Sequence, residues 1–95
     1  MKYGLLSSKD IFGLIKNNQN IYVETGTWKG KGIKWAKENF KEVHSIELWE
    51  PYYDNCVELF KNDSNVHIYL GDSREKLPEI LNKINEKTFI FLDAH

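Results

Sequence analysis

Two hydrophobic rhythms take turns along this chain. Short runs rich in β-branched and aromatic residues occur at Ile21-Tyr22-Val23-Glu24, Val43-His44-Ser45-Ile46-Glu47-Leu48, Val66-His67-Ile68-Tyr69-Leu70 and Thr88-Phe89-Ile90-Phe91-Leu92-Asp93. Such runs read as strands, and the nearly unbroken apolar character of the last implies burial on both faces. Between them apolar residues recur at helical spacing: Ile33, Ala36 and Phe40 within 32–40; Tyr53, Cys56, Val57 and Phe60 within 52–61; Leu77, Ile80, Leu81 and Ile84 within 75–84. Pro51 suits the first turn of the second of these helices, and Pro78 is expected near the start of the third. A leading helix is predicted over 7–18, with a serine cap, Asp10 in its first turn and Ile11, Phe12, Leu14 and Ile15 on one face.

Strands alternating with helices imply a parallel sheet joined by right-handed crossovers. The expected fold is therefore α/β, with residues 1–95 forming one unit whose Rossmann-like part runs from 20 to 95. In such a sheet the ligand sits at the carboxyl ends of the strands. All four predicted strands end in, or run directly into, a carboxylate: Glu24, Glu47, Asp72 and Asp93.

The first strand leads into a glycine-bearing turn, Glu24-Thr25-Gly26-Thr27-Trp28-Lys29-Gly30-Lys31-Gly32. Glycines there permit a tight turn and a close ligand, and the following helix offers free N–H groups. Glu47 ends the second strand about 20 residues past the turn, where an acid accepts hydrogen bonds from ribose hydroxyls. Together these features point to an adenosine-containing cofactor. Glu24 narrows the choice. A carboxylate at the mouth of the turn repels a pyrophosphate but suits S-adenosylmethionine, which carries an ammonium and a sulfonium.

With these residues in place, the chain resembles the class I, Rossmann-like S-adenosylmethionine-dependent methyltransferases. Glu24-x-Gly26-x-x-x-Gly30 is similar to their first motif, and Trp28 in its middle resembles the catechol-type and macrolide-sugar O-methyltransferases. Ser45-Ile46-Glu47-Leu48, Leu70-Gly71-Asp72-Ser73 and Phe91-Leu92-Asp93-Ala94-His95 resemble the next three motifs in order. The resemblance implies an incomplete sheet of order 3-2-1-4. It implies that Glu24, Gly26, Thr27, Trp28 and Gly30 line the methionine part of the cofactor. It also implies that Glu47 and Leu48 hold the ribose region, and Asp72 and Ser73 the adenine. Asp93 would face the transferred methyl, with His95 as a general base for a substrate hydroxyl. In metal-dependent members the acid at Asp93 is a Mg²⁺ ligand; no metal set is complete within these residues. The implied substrate is a small hydroxyl compound, such as a sugar.

Two other readings stay open. Thr25-Gly26-x-x-x-Gly30-x-Gly32 also resembles the NAD(P)-binding turn of short-chain dehydrogenases, although Glu24 opposes it and that family's Tyr-x-x-x-Lys pair is lacking. Alternatively, the chain is a non-catalytic relic or interaction module that kept the fold alone. Three explanations of the incomplete sheet compete: a fragment of a longer enzyme, a truncated relic, or a unit that a partner completes; turnover by the chain alone is not expected. The apolar Thr88–Leu92 edge would then be covered by a second copy or a partner.

Composition trims the alternatives. A net charge of −1, with 13 basic against 14 acidic residues, lacks the basic excess of a nucleic-acid binder. No run reaches the ~18 apolar residues of a membrane span, and no signal peptide is legible. The single cysteine, Cys56, cannot form an internal disulfide, which favours a reducing, cytoplasmic setting. Its helical spacing makes it a packing residue. His44 and His67 fall inside strands and read as packing or surface residues.

Overall fold

The computed structural model describes residues 20–92; the leading helix predicted over 7–18 and the residues Asp93, Ala94 and His95 lie outside the described residues. Seven elements follow in order: β1 (Ile21–Thr25), α1 (Lys31–Asn39), β2 (Glu42–Glu47), α2 (Glu50–Leu59), β3 (Val66–Leu70), α3 (Ser73–Asn82) and β4 (Thr88–Leu92). The strands form one parallel sheet in the order β3-β2-β1-β4, flanked by the helices, as the sequence led us to expect. β1 therefore lies in the interior of the sheet, and its five residues are all buried.

Side chains alternate across a strand, so each strand feeds two cores. Tyr22 and Val43 pack with Ile33 and Ala36 of α1, with Cys56 of α2, and with Phe40 and Phe60, which cap those two helices. Ile21, Val23 and Ile46 face the other way and meet Ile80, with Leu77 and Leu81, from α3. Two helices on one face and one on the other make the sheet doubly wound, and the fold is Rossmann-like.

The helices begin a little earlier than the apolar spacing suggests, and at α3 a cap sets the start. Asp72 accepts a hydrogen bond from the Arg74 amide at 2.8 Å, which starts α3 at Ser73. Pro78 is consequently an interior residue of α3 rather than part of its first turn. It offers no N–H to the carbonyl four residues back. At the other end of α1, Phe40 leaves the helix in an extended conformation and returns the chain to β2.

Candidate functional site

A cleft of about 650 Å³ opens at the carboxyl ends of β1, β2 and β3. Its wall is built from the residues that end or follow each strand: Thr25, Gly26 and Trp28 at β1, Glu47, Leu48, Trp49 and Tyr52 at β2, and Gly71, Asp72, Ser73 and Arg74 after β3. The volume falls in the range of small-molecule pockets. Six residues predicted to bind a cofactor thus share one cleft: Gly26, Trp28, Glu47, Leu48, Asp72 and Ser73.

Glu47 is the organising residue. Its carboxylate is buried, and each oxygen accepts a backbone N–H: Oε1 from Trp28 at 3.0 Å and Oε2 from Trp49 at 2.8 Å. One side chain therefore ties the turn after β1 to the loop after β2. Each carboxylate oxygen has a second lone pair, so the group retains acceptor capacity toward the cleft.

The turn itself is held in an uncommon backbone conformation. Trp28 has φ 55°, in the left-handed region that bulky residues avoid at a cost of about 1–2 kcal/mol. Its amide is fixed by Glu47, and its carbonyl accepts from the Cys56 thiol at 3.4 Å. The indole then lies along Tyr52 at 6.1 Å between ring centroids, and Tyr52 meets Trp49 edge to face at 4.5 Å. Three aromatic rings and the exposed Leu48 thus form an apolar wall beside an acid. Gly30 ends the turn at φ 87°; a Cβ there would stand 2.7 Å from the Phe60 ring, so the close approach that excludes a side chain is to α2's core and not to the cleft.

Glu24 and Thr27 are placed differently from the direct contact expected of them. The even positions of β1 point toward α1 and α2, so Glu24 lies beneath the turn, 5 % exposed, and outside the cleft lining. Ser45 is its register partner on β2 and donates to Oε2 at 2.7 Å; Tyr22 donates to Oε1 at 2.9 Å. Burial, then the Glu24 charge, pushes the Tyr22 phenol far above its ordinary value, so it stays a donor. Thr27 joins the same buried chain through a 2.6 Å contact between its hydroxyl and that of Ser45. Among the described residues no buried side-chain nitrogen or oxygen lacks a hydrogen bond.

Asp72 has a partner in the cleft that the strand-end pattern did not indicate. Arg74 reaches back over it with Nη2 2.7 Å from Oδ2 and Nε 3.2 Å from each oxygen. The guanidinium, then the Arg74 amide, holds the Asp72 carboxyl below its ordinary value. Of the cleft lining, Thr25, Ile46 and Gly71 were not among the predicted contacts, and neither were three side chains that follow the strands, Trp49, Tyr52 and Arg74. The available signal was position, since each of these three follows a strand-ending acid by only a few residues. The predicted catalytic pair, Asp93 and His95, lies outside the described residues, and with it the acid that is a Mg²⁺ ligand in the metal-dependent enzymes the chain resembles.

Cys56 is a packing residue, as its spacing suggests: it is fully buried, and burial, then the charges of Glu24 and Glu47, pushes its thiol upward. His44 and His67 are register partners on β2 and β3 and stack at 4.8 Å. Burial holds His44 below its ordinary value. Among the described residues, no helix is long and apolar enough to cross a membrane. No protein-family model matches the chain, and no curated protein matches it.

Proposed function

We propose that this chain supplies the S-adenosylmethionine-binding part of a class I methyltransferase acting on a small hydroxyl compound. The observation that carries the reading is the Glu47 carboxylate. It sits buried at the end of β2, aimed by two backbone amides at the rim of a cleft walled by Trp28, Leu48, Trp49 and Tyr52. An acid beside an apolar and aromatic wall suits a nucleoside: the carboxylate takes the ribose hydroxyls, and the wall takes the purine.

Charge favours S-adenosylmethionine over a dinucleotide. The cleft lining carries two carboxylates, Glu47 and Asp72, against one guanidinium, Arg74, which is already paired with Asp72. A pyrophosphate would find no unpaired cationic side chain in that lining, whereas a ligand with an ammonium and a sulfonium meets an acidic wall. Gly26, with φ 82°, and Trp28 shape the turn against which the methionine part would rest. Glu24 and Thr27 support that turn from beneath, through Ser45. Asp72 and Ser73 would serve the adenine amino group, with Arg74 setting the carboxylate's orientation.

When bound, the cofactor supplies an electrophilic methyl group for in-line transfer. The residues of this chain contribute position and water exclusion, which account for much of the acceleration of such a step. Residues 93–95 would bring the acceptor side of the reaction.

Calorimetric titration of S-adenosylmethionine and, in parallel, NADPH into the full chain and into Glu47→Ala tests the proposal. Saturable binding of the first ligand alone, lost on substitution, is the expected result. Binding of NADPH alone would move the reading to a dehydrogenase-type site. A folded chain that takes up neither would leave the fold without this function.

A further inference from the structure

The far end of the sheet holds a second group of chemistry-bearing residues, remote from the cleft. Glu42 opens β2, and His44 follows two residues on, so both point to the face that α3 covers. His67 is the register partner of His44 on β3. We propose that Glu42, His44 and His67 form a binding site for a divalent transition-metal ion of the zinc type, clamping β2 to the edge strand β3.

The geometry is close to what such an ion requires. One donor atom from each residue lies within 4.8 Å of the other two. His44 Nε2 is 3.1 Å from Glu42 Oε1, and His67 Nε2 is 3.8 Å from the same oxygen. In a tetrahedral zinc site, metal–ligand bonds of about 2.0–2.1 Å place donors roughly 3.3 Å apart. Two contacts already match within about half an ångström; His67, partly exposed and stacked on His44 with the ring planes 19° apart, must turn out of that stack to bring its in-plane lone pair onto the ion. Two imidazoles and one carboxylate are a donor set that zinc accepts, with water as a fourth ligand. Glu42 and His67 are both partly open to solvent, which leaves a route for the ion and for that water.

A supporting contact orients the buried ligand. His44 Nδ1 lies 2.8 Å from the Tyr69 hydroxyl, while Nε2 faces Glu42. A ligating histidine is commonly fixed by a hydrogen bond at its other ring nitrogen. With an ion on Nε2, the ring proton resides on Nδ1 and is donated to the Tyr69 oxygen. Without one, Nε2–H donates to Glu42 and the Tyr69 hydroxyl donates to Nδ1. Metal binding therefore exchanges the His44 tautomer without moving the ring.

The test uses the full chain, stripped of metal, and Zn²⁺ alone in competition with a chromophoric chelator at pH 7.5. One equivalent is expected to bind. Affinity should fall about tenfold or more in His67→Ala and in Glu42→Gln, and by a similar factor in Tyr69→Phe. Glu58→Gln, at an exposed carboxylate of α2 on the opposite face of the sheet, should change nothing. Circular dichroism checks that each variant keeps its fold. Independently, ¹⁵N NMR of the wild-type imidazoles should show the His44 proton moving to Nδ1 on zinc addition. No saturable uptake, or uptake that survives in both His67→Ala and Glu42→Gln, overturns the proposal. So does an unchanged His44 tautomer at saturating zinc.

Discussion

Gly32 is the second residue of α1, and an alanine there should help the helix by up to about 1 kcal/mol on propensity alone. We expect the opposite. A Cβ at Gly32 would stand 2.6 Å from Glu24 Oε1, closer than real Cβ atoms come to anything. That oxygen belongs to a buried carboxylate pinned by Tyr22 and Ser45, so it yields only by giving up a hydrogen bond. A hydrogen bond to a charged group contributes about 1.5–3 kcal/mol, and overpacking adds about 1–3 kcal/mol where relaxation is incomplete. Against the propensity gain, Gly32→Ala should lose about 2 kcal/mol, which for a chain this size lowers the melting temperature by roughly 10 °C. Urea unfolding followed by far-UV circular dichroism measures it. In a Glu24→Ala background the clash is gone, so the same glycine substitution should become neutral or stabilising. Such a reversal would be the signature of direct coupling between the two positions. If Gly32→Ala is as stable as the parent, this account of the turn is wrong. A glycine kept for the approach of a phosphate would behave differently, losing ligand affinity at unchanged stability.

Three more expectations follow from neighbouring residues. Ser45→Ala removes the donor to Glu24 and the partner of Thr27, and should cost about 1–3 kcal/mol in the same unfolding assay; a loss below about 0.5 kcal/mol would mean that water or relaxation repairs the chain. Cys56, buried and with its thiol pushed upward, should react with a disulfide reagent at pH 8 far more slowly in the native chain than in urea, and equal rates would contradict the packing. Asp72 has a depressed carboxyl, so its contribution to stability is present above the ordinary carboxylate value of 3.8 and fades as pH falls through the lower, folded value. NMR titration should show the Asp72 carboxyl rising toward its ordinary value in Arg74→Ala, and an unchanged titration would remove Arg74 as the cause.

By itself the sequence determined the class of fold. Short β-branched and aromatic runs alternate with helical spacing strictly enough that the four strands, the helices between them and a parallel sheet follow. It also placed Glu47 and Asp72 at strand ends, which in a parallel sheet is where a cleft forms. Only the tertiary structure decided how near the cleft each acid stands. Glu24 and Glu47 both end strands and look alike in sequence, yet Glu24 turns into the core under α1 while Glu47 rests at the rim of the cleft. Both project to the same face of the sheet, because Glu24 pairs in register with Ser45 and Glu47 stands two residues beyond it; the difference is depth, set by the register between β1 and β2, and neither strand contains that information by itself. The same holds for the glycines: Gly30 answers to Phe60, distant in sequence, and Gly32 to Glu24 across the turn, each brought within reach by helix packing. His44 and His67 likewise become neighbours through the pairing of β2 with β3. Local pattern sets an element and its faces; the register between elements sets who meets whom.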